Sequence, residues 1–253
     1  FCEKPPGRNV ADIVKVRSQE ATSRHLKLMY GFNHRFHNSV EEAKSIIQNN
    51  TFGNLINMRG VYGKSQMISF NQDDWRTRRE DSGGGILLDQ GIHMLDLIRY
   101  LSGESFTQIF SFIDNAFWNF DVEDNAYVLM KSSRGIVAQL HSSATQWRHL
   151  FNLEITMEKG SLVLGGILTG SKSYGEETLT IITADPSNDR GAPHEATSKF
   201  NKDVSWDNEI KYFAESLEKK SPITRGSIDD AIETMKLIEK IYKADPIWQK
   251  KYY

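Results

Sequence analysis

Asp89, His93 and Asp96 stand four and three residues apart in the stretch Gly83-Gly84-Gly85-Ile86-Leu87-Leu88-Asp89-Gln90-Gly91-Ile92-His93-Met94-Leu95-Asp96. On a helix, such spacings put the side chains on one face. A carboxylate that accepts from one imidazole nitrogen fixes the tautomer and makes the other nitrogen more basic, so Asp89 and His93 are a candidate proton-handling pair. The same spacing also suits an ordinary polar helix face. It would suit two zinc ligands as well, but no cysteine or second clustered histidine completes such a set, and no metal is expected. The three glycines match neither the dinucleotide fingerprint nor a P-loop. Their expected use is to let a ligand approach the free amides of a helix N-terminus.

Three more groups could bear chemistry. Lys4 is pinned between Phe1-Cys2, which reads as the tail of a buried strand, and the turn Pro5-Pro6-Gly7. In open α/β sheets ligands bind at strand C-termini, although an isolated lysine is usually a solvated surface charge. Arg35, Trp75 and Arg76 bring two guanidinium groups and an indole into loops. That combination suits a phosphate- or sugar-bearing ligand by bidentate pairing and stacking, or else simple surface charge around a half-buried aromatic. Trp147 and Arg148 pose the same choice. Tyr62, Tyr100 and Trp206 read as core or rim residues.

The elements that must position these groups follow from periodicity. Helices are expected from Asn9, a plausible N-cap, to about His25, and from Ser39 to Asn49. Others are expected from Gly85 to Leu101, from Ser205 to Lys219, and from a Ser227 cap to Lys243. Leu26–Phe32 and Leu55–Tyr62 alternate as strands. Phe106–Phe117, Asn125–Lys131, Gly135–Thr145, Phe151–Met157, Ser161–Gly165 and Thr178–Thr183 follow as β-branched and aromatic runs joined by short turns, which imply antiparallel pairing. Gly63–Ser82 lacks periodicity and is long enough to be functional. Asp185–His194 reads as a loop. The fold class expected is α+β, a predominantly antiparallel open sheet of about six or more strands with helices on one face.

Bulk properties narrow the function. With 253 residues, 39% hydrophobic and 25% charged, the chain can bury a sizeable core. A net charge of -2 and a pI near 6.4 give no electrostatic case for nucleic acid or an anionic membrane. No apolar run approaches the ~18 residues of a membrane helix. Cys2 is the single cysteine, which suits a reducing, cytoplasmic compartment. The opening at Phe1, in what reads as a strand end, suggests an N-terminal portion beyond it.

Taken in order, Glu3-Lys4-Pro5, Gly31-Phe32-Asn33-His34-Arg35-Phe36, Asp74-Trp75-Arg76, and Gly83-Gly84-Gly85 through Asp89, His93 and Asp96 resemble the glucose–fructose oxidoreductase and inositol dehydrogenase family of NAD(P)-dependent enzymes. The resemblance covers nearly the whole chain. It implies that residues 1–32 are the last elements of a Rossmann domain and 33–253 the substrate-binding domain. Lys4 would hold the substrate oxygen beside the nicotinamide, His93 would be the general acid/base, and Asp89 would orient and tune it. Glu3, Lys4, Pro5, Arg35, Trp75 and Arg76 would line the cofactor side; Lys4, Arg35, Asp89, His93, Trp147 and Arg148 would line the substrate side; Asp96 would be structural. The implied reaction is hydride transfer between NAD or NADP and a sugar, cyclitol or nucleotide-sugar hydroxyl. Alternatives are a sugar-binding or dimerisation module without turnover, or a sugar hydrolase or epimerase using the nicotinamide transiently. The family also implies a homodimer or homotetramer through the sheet face.

Overall fold

The computed structural model describes residues 1–23, 25–65, 75–169, 173–183 and 193–253. Two short parallel strands, β1 (Cys2–Glu3) and β2 (Tyr30–Gly31), are connected by α1 (Val10–Thr22). Asn9 caps α1, its side-chain oxygen accepting from the Asp12 amide at 3.0 Å, as a residue with a short polar side chain should. The strand expected over Leu26–Phe32 shrinks to Tyr30–Gly31, and β1 is exposed rather than buried. Its partner β2 is buried.

A 3₁₀ turn over Asn33–Phe36 leads into α2 (Asn38–Gln48) and β3 (Leu55–Gly63). After a second such turn (Trp75–Thr77) come α3 (Arg79–Ser82), a π-helical turn (Leu87–Gly91) and α4 (Ile92–Ser102). The strands then run as β4 (Phe106–Asp114), β5 (Asn125–Ser132), β6 (Val137–Ser143), β7 (Leu150–Met157), β8 (Gly160–Gly165), β9 (Glu177–Thr183) and β10 (His194–Phe200). Helices α5 (Ser205–Glu218), α6 (Ile228–Ala244) and α7 (Pro246–Tyr252) close the chain.

The large sheet has eight strands in the order β10-β9-β8-β7-β3-β6-β5-β4. Every neighbouring pair is antiparallel except β3 and β6. The α+β class and the one-sided helical layer are therefore as expected. The early strand β3 separates β6 from β7, which short-range reasoning would have joined as a hairpin. Strand β10 was not anticipated; only its first residue, His194, falls in the loop expected over Asp185–His194. Its residues are exposed on both faces apart from the half-buried Phe200, so it carries no apolar alternation to betray it.

Burial explains the layering. Along β7, Phe151, Leu153, Ile155 and Met157 point inward while the residues between them are half-buried. Helix α6 buries the stripe Ile228, Ala231, Ile232, Met235, Ile238 and Ile241, and Ser227 and Asp230 form a reciprocal capping box at its start. Helix α4 packs so tightly on β3 that a Cβ on Gly60 would lie 2.7 Å from the Met94 side chain. The other sheet face is open: Phe110 and Phe112 on β4 are 71% and 76% exposed, and Tyr127 and Leu129, their register partners on β5, are also exposed.

Candidate active site

A cleft of about 350 Å³ collects side chains from distant parts of the chain: Glu3 and Lys4 from the end of β1, Asn33 and His34, Tyr62 and Lys64, and His93. His149, Tyr174 and Trp206 close its outer wall. Lys4 is joined to the following proline by a cis peptide. Its ammonium reaches across 85 residues of sequence to donate to the Asp89 backbone carbonyl and to Asp89 Oδ1 at 3.3 Å. Lys64 Nζ donates to the other carboxylate oxygen at 2.9 Å. Burial alone would raise the Asp89 pKa, but the two lysines overcome it and hold the carboxyl below its ordinary value. Asp89 is thus an ionised bridge between two cations.

This differs from the expected Asp89–His93 pair. The sequence spacing assumes a regular α-helix, whereas Leu87–Gly91 is a π turn. The wider turn changes the angular step, so residues four apart no longer stand one above the other. It packs closely on β6, where a Cβ on Gly91 would meet Ser142 Oγ at 2.9 Å. Asp89 bonds to the lysines and to Gln90, and His93 Nδ1 is enclosed with no hydrogen-bond partner among the described residues. His93 instead lies flat on His34, centroids 3.9 Å apart and planes 14° from parallel. Burial first, then the charges of Lys4, His37 and Lys64, push the His93 pKa well below its ordinary value. At neutral pH the ring is an uncharged imidazole, able to accept a proton.

The glycines also serve a different purpose from the one expected. The amides of Gly85 and Leu87 donate to the buried Glu123 carboxylate at 2.8 and 3.0 Å, and the Tyr242 hydroxyl donates to it at 2.7 Å. A Cβ on Gly85 would lie 2.0 Å from the Glu123 carbonyl oxygen, and one on Gly84 would lie 2.2 Å from the Tyr242 hydroxyl. The helix entrance is therefore filled by the protein's own carboxylate rather than left open to a ligand.

Arg35 lies in the core, not in the cleft. Its guanidinium makes two bonds to Asp96, at 2.7 and 2.6 Å, and one to Asp230 at 2.9 Å, with the Tyr100 ring 4.7 Å away. Burial lowers its pKa, but Asp96 and Asp230 more than reverse that and raise it. Asp96 is structural, as expected, and Arg35 is its counterion. Trp75 is exposed, with the Arg76 guanidinium 4.6 Å over its ring; neither is among the described residues that line the cleft, and Asp74 lies outside the described residues. Trp147, in the left-handed region at φ 55°, packs edge-on to Phe117. It and Arg148 are exposed, while the next residue, His149, faces the cleft.

No role at the site was expected for His34, Lys64, His149 or Tyr174. Lys64 and Tyr62 sit two apart at the end of β3 and so share a face, a signal that could have paired them. The orientation of His34 depends on a 3₁₀ turn that nothing in the polar run Asn33-His34-Arg35 announces.

Residues 40–163 match the model of the GFO/IDH/MocA C-terminal domain. They belong to that domain family. The chain is 26% identical over 200 residues to myo-inositol 2-dehydrogenase of Thermotoga maritima, covering 76% of this chain and 54% of the relative. It is 31% identical over 145 residues to trans-1,2-dihydrobenzene-1,2-diol dehydrogenase of Sus scrofa, covering 57% and 41% respectively. The chain thus spans about half the length of the curated relatives it matches. Among solved structures, the aldose-aldose oxidoreductase of Caulobacter crescentus superposes with a TM-score of 0.80 at 22% identity, over 97% of this chain and 69% of the other. A levoglucosan dehydrogenase in complex with NADH and levoglucosan gives 0.81 at 19%, over 97% and 71%. These two likenesses show a shared fold. None of the helices among the described residues is long and apolar enough to cross a membrane.

Proposed function

We propose that this chain supplies the substrate side of an NAD(P)-dependent oxidoreductase that moves a hydride between nicotinamide and a hydroxyl of a sugar, cyclitol or nucleotide-linked sugar. The observation that carries the reading is the convergence of Lys4 and His93, one from the end of a parallel strand and one from α4, on a single polar cleft. The names of the relatives, dehydrogenases and reductases of polyols and sugars, support the class. In this reading residues 1–32 belong to a nucleotide-binding domain. Their β–α–β unit pairs in parallel and stands apart from the large sheet.

The residues present fit a nicotinamide. The cleft opens at the C-terminal end of β1, where open α/β folds bind nucleotides, and Glu3 and Lys4 stand there with a neutral His93 across from them. When bound, the nicotinamide supplies the hydride acceptor. Lys4, held by Asp89, donates a hydrogen bond to the reacting hydroxyl oxygen and stabilises its developing negative charge. His93 accepts the hydroxyl proton at Nε2, since Nδ1 is enclosed. Loss of that proton and of the carbon-bound hydride leaves a carbonyl; in reduction the same nitrogen returns the proton. Trp75 and Arg76 are proposed to meet the cofactor, and Trp147 and Arg148 a distal part of the substrate. The exposed aromatic sheet face is proposed to pair with a second copy of the chain.

The test uses the protein expressed from the complete gene, with a panel of sugars, cyclitols and nucleotide sugars and both oxidised cofactors. Net accumulation of reduced nicotinamide with at least one polyol is expected. Turnover of a sugar without net reduction would replace the reading with hydrolysis or epimerisation, and no turnover with any panel member would count against it.

A further inference from the structure

Among the described residues no hydrogen bond holds the His93 ring, yet a general base works only if its nitrogen meets the substrate proton in a narrow range of geometry. The ring beneath it, His34, is held at both ends. His34 Nδ1 lies 3.0 Å from Asn33 Oδ1, and His34 Nε2 lies 3.0 Å from the Tyr62 hydroxyl. The amide nitrogen of Asn33 donates to Ser205 Oγ at 3.4 Å, and Ser205 Oγ donates to Asp203 at 2.7 Å. With the Asn33 oxygen able only to accept, His34 is the Nδ1–H tautomer and its Nε2 takes the Tyr62 proton. These side chains come from the 3₁₀ turn, from β3 and from the entrance to α5, and the line ends on one ring bonded at both nitrogens.

We infer that His34 is a positioning residue: its doubly bonded ring is the platform on which His93 stacks, and stacking stands in for the carboxylate that usually orients a catalytic histidine. The face-to-face contact of 3.9 Å and 14° is the juxtaposition that does this. A neutral platform also leaves room for the charge that His93 acquires during turnover, which a protonated His34 would oppose. The groups facing His34 are His93, His37 edge-on at 5.6 Å, Tyr62 and the Lys4 ammonium. Burial first, then His93, His37 and Lys4, keep its pKa well below the ordinary value. Phe32, Arg35 and Phe36 on the same turn are core residues, so His34 is the residue of that turn that faces both His93 and the cleft.

The catalytic part of this inference rests on the proposed oxidoreductase reading; the structural part does not, and the experiment separates them. Imidazole ¹⁵N spectra of the chain should show His34 as a fixed Nδ1–H tautomer and His93 as a single neutral form. His34→Ala should turn the His93 signals into an average of exchanging tautomers, while His34→Phe, which keeps a flat ring under His93, should leave them resolved. Unchanged His93 signals in His34→Ala would overturn the platform. So would loss of the resolved form in His34→Phe, because the hydrogen bonds rather than the stack would then be the essential feature. If His34→Ala does not fold, His34→Leu, which keeps bulk but no flat ring under His93, takes its place; exchanging His93 signals support the inference and unaltered ones refute it. In the enzyme, His34→Ala should lower kcat by roughly a hundredfold, the scale of a misplaced catalytic group, with KM nearly unchanged, and His34→Phe should recover most of it. A fall confined to KM would contradict a positioning role.

Discussion

Replacing Arg35 with methionine tests whether this residue holds the fold or a ligand. The guanidinium is 1% exposed and serves two carboxylates. Methionine fills the volume but leaves Asp96, itself 1% exposed, with a buried charge and only a 3.5 Å contact to Thr234. Breaking a buried pair from one side costs about 3–5 kcal/mol. Asp230 suffers less, because it is part-exposed and retains the Ser227 amide and hydroxyl at 3.1 and 3.2 Å. For a chain of this size each kcal/mol moves Tm by roughly 2–4 °C, so a fall of roughly 6–20 °C is expected. Thermal and urea denaturation followed by circular dichroism measure it. Adding Asp96→Leu should restore most of the loss, since replacing both partners by apolar groups is close to neutral. A double-mutant coupling of at least about 2 kcal/mol would then appear. An Arg35→Met protein with wild-type stability and weakened substrate or cofactor binding would refute the assignment of Arg35 to the core.

Acid should unfold the chain in a window set by the two stacked histidines. Both have folded pKa values below the unfolded value of about 6.5, so above that pH they contribute nothing proton-linked. Below it the unfolded state binds protons that the native state refuses, and stability falls by about 1.4 kcal/mol per pH unit for each ring until its folded pKa is reached. Because the Glu209 carboxyl, pushed up to about 8 by burial, adds stability as pH falls over the same range, the check is a comparison: urea midpoints that fall from pH 7 to 5.5 no more steeply in wild type than in His34→Phe would contradict this. Gly85→Ala should cost about 3 kcal/mol or more by overpacking and by disturbing the Glu123 clamp, read as a lower Tm; an unchanged Tm would mean that the clamp is not close-packed. Phe112→Lys on the open sheet face should leave Tm within about 2 °C, as exposed substitutions do, while weakening any self-association seen by sedimentation velocity. A wild-type chain that is monomeric at high concentration would remove the proposed sheet-face pairing.

The parts of the fold that repeat were legible in the residues. Alternation along β5 and β7 and the apolar stripe of α6 encode local burial directly, and Asn9 and Ser227 announce helix starts by their side-chain chemistry. What escaped were features decided by distant partners. The position of β3 between β6 and β7 depends on long-range pairing, and β10 depends on the edge of β9 rather than on its own pattern. Pro246–Tyr252 was not anticipated, although Asp245 caps it by accepting from the Ile247 and Trp248 amides at 2.8 Å. At the site, Lys4, Asp89 and His93 were visible as residue types, but their partnerships were not. One π turn reassigns Asp89 from the histidine to Lys4 and Lys64. Arg35 looked like a ligand group because a sequence does not show that Asp96 and Asp230 enclose it.

The most direct measurement of the central claim follows deuterium from carbon to cofactor. A reactive polyol labelled at its carbinol carbon is mixed in a single turnover with oxidised nicotinamide and the protein from the complete gene, wild type or His93→Ala. Wild type should carry the label into the reduced nicotinamide, and His93→Ala should do so more slowly by roughly a hundredfold or more, the scale of lost acid–base catalysis. Transfer at the wild-type rate in His93→Ala, or no label in the cofactor of the wild-type protein, would contradict the account.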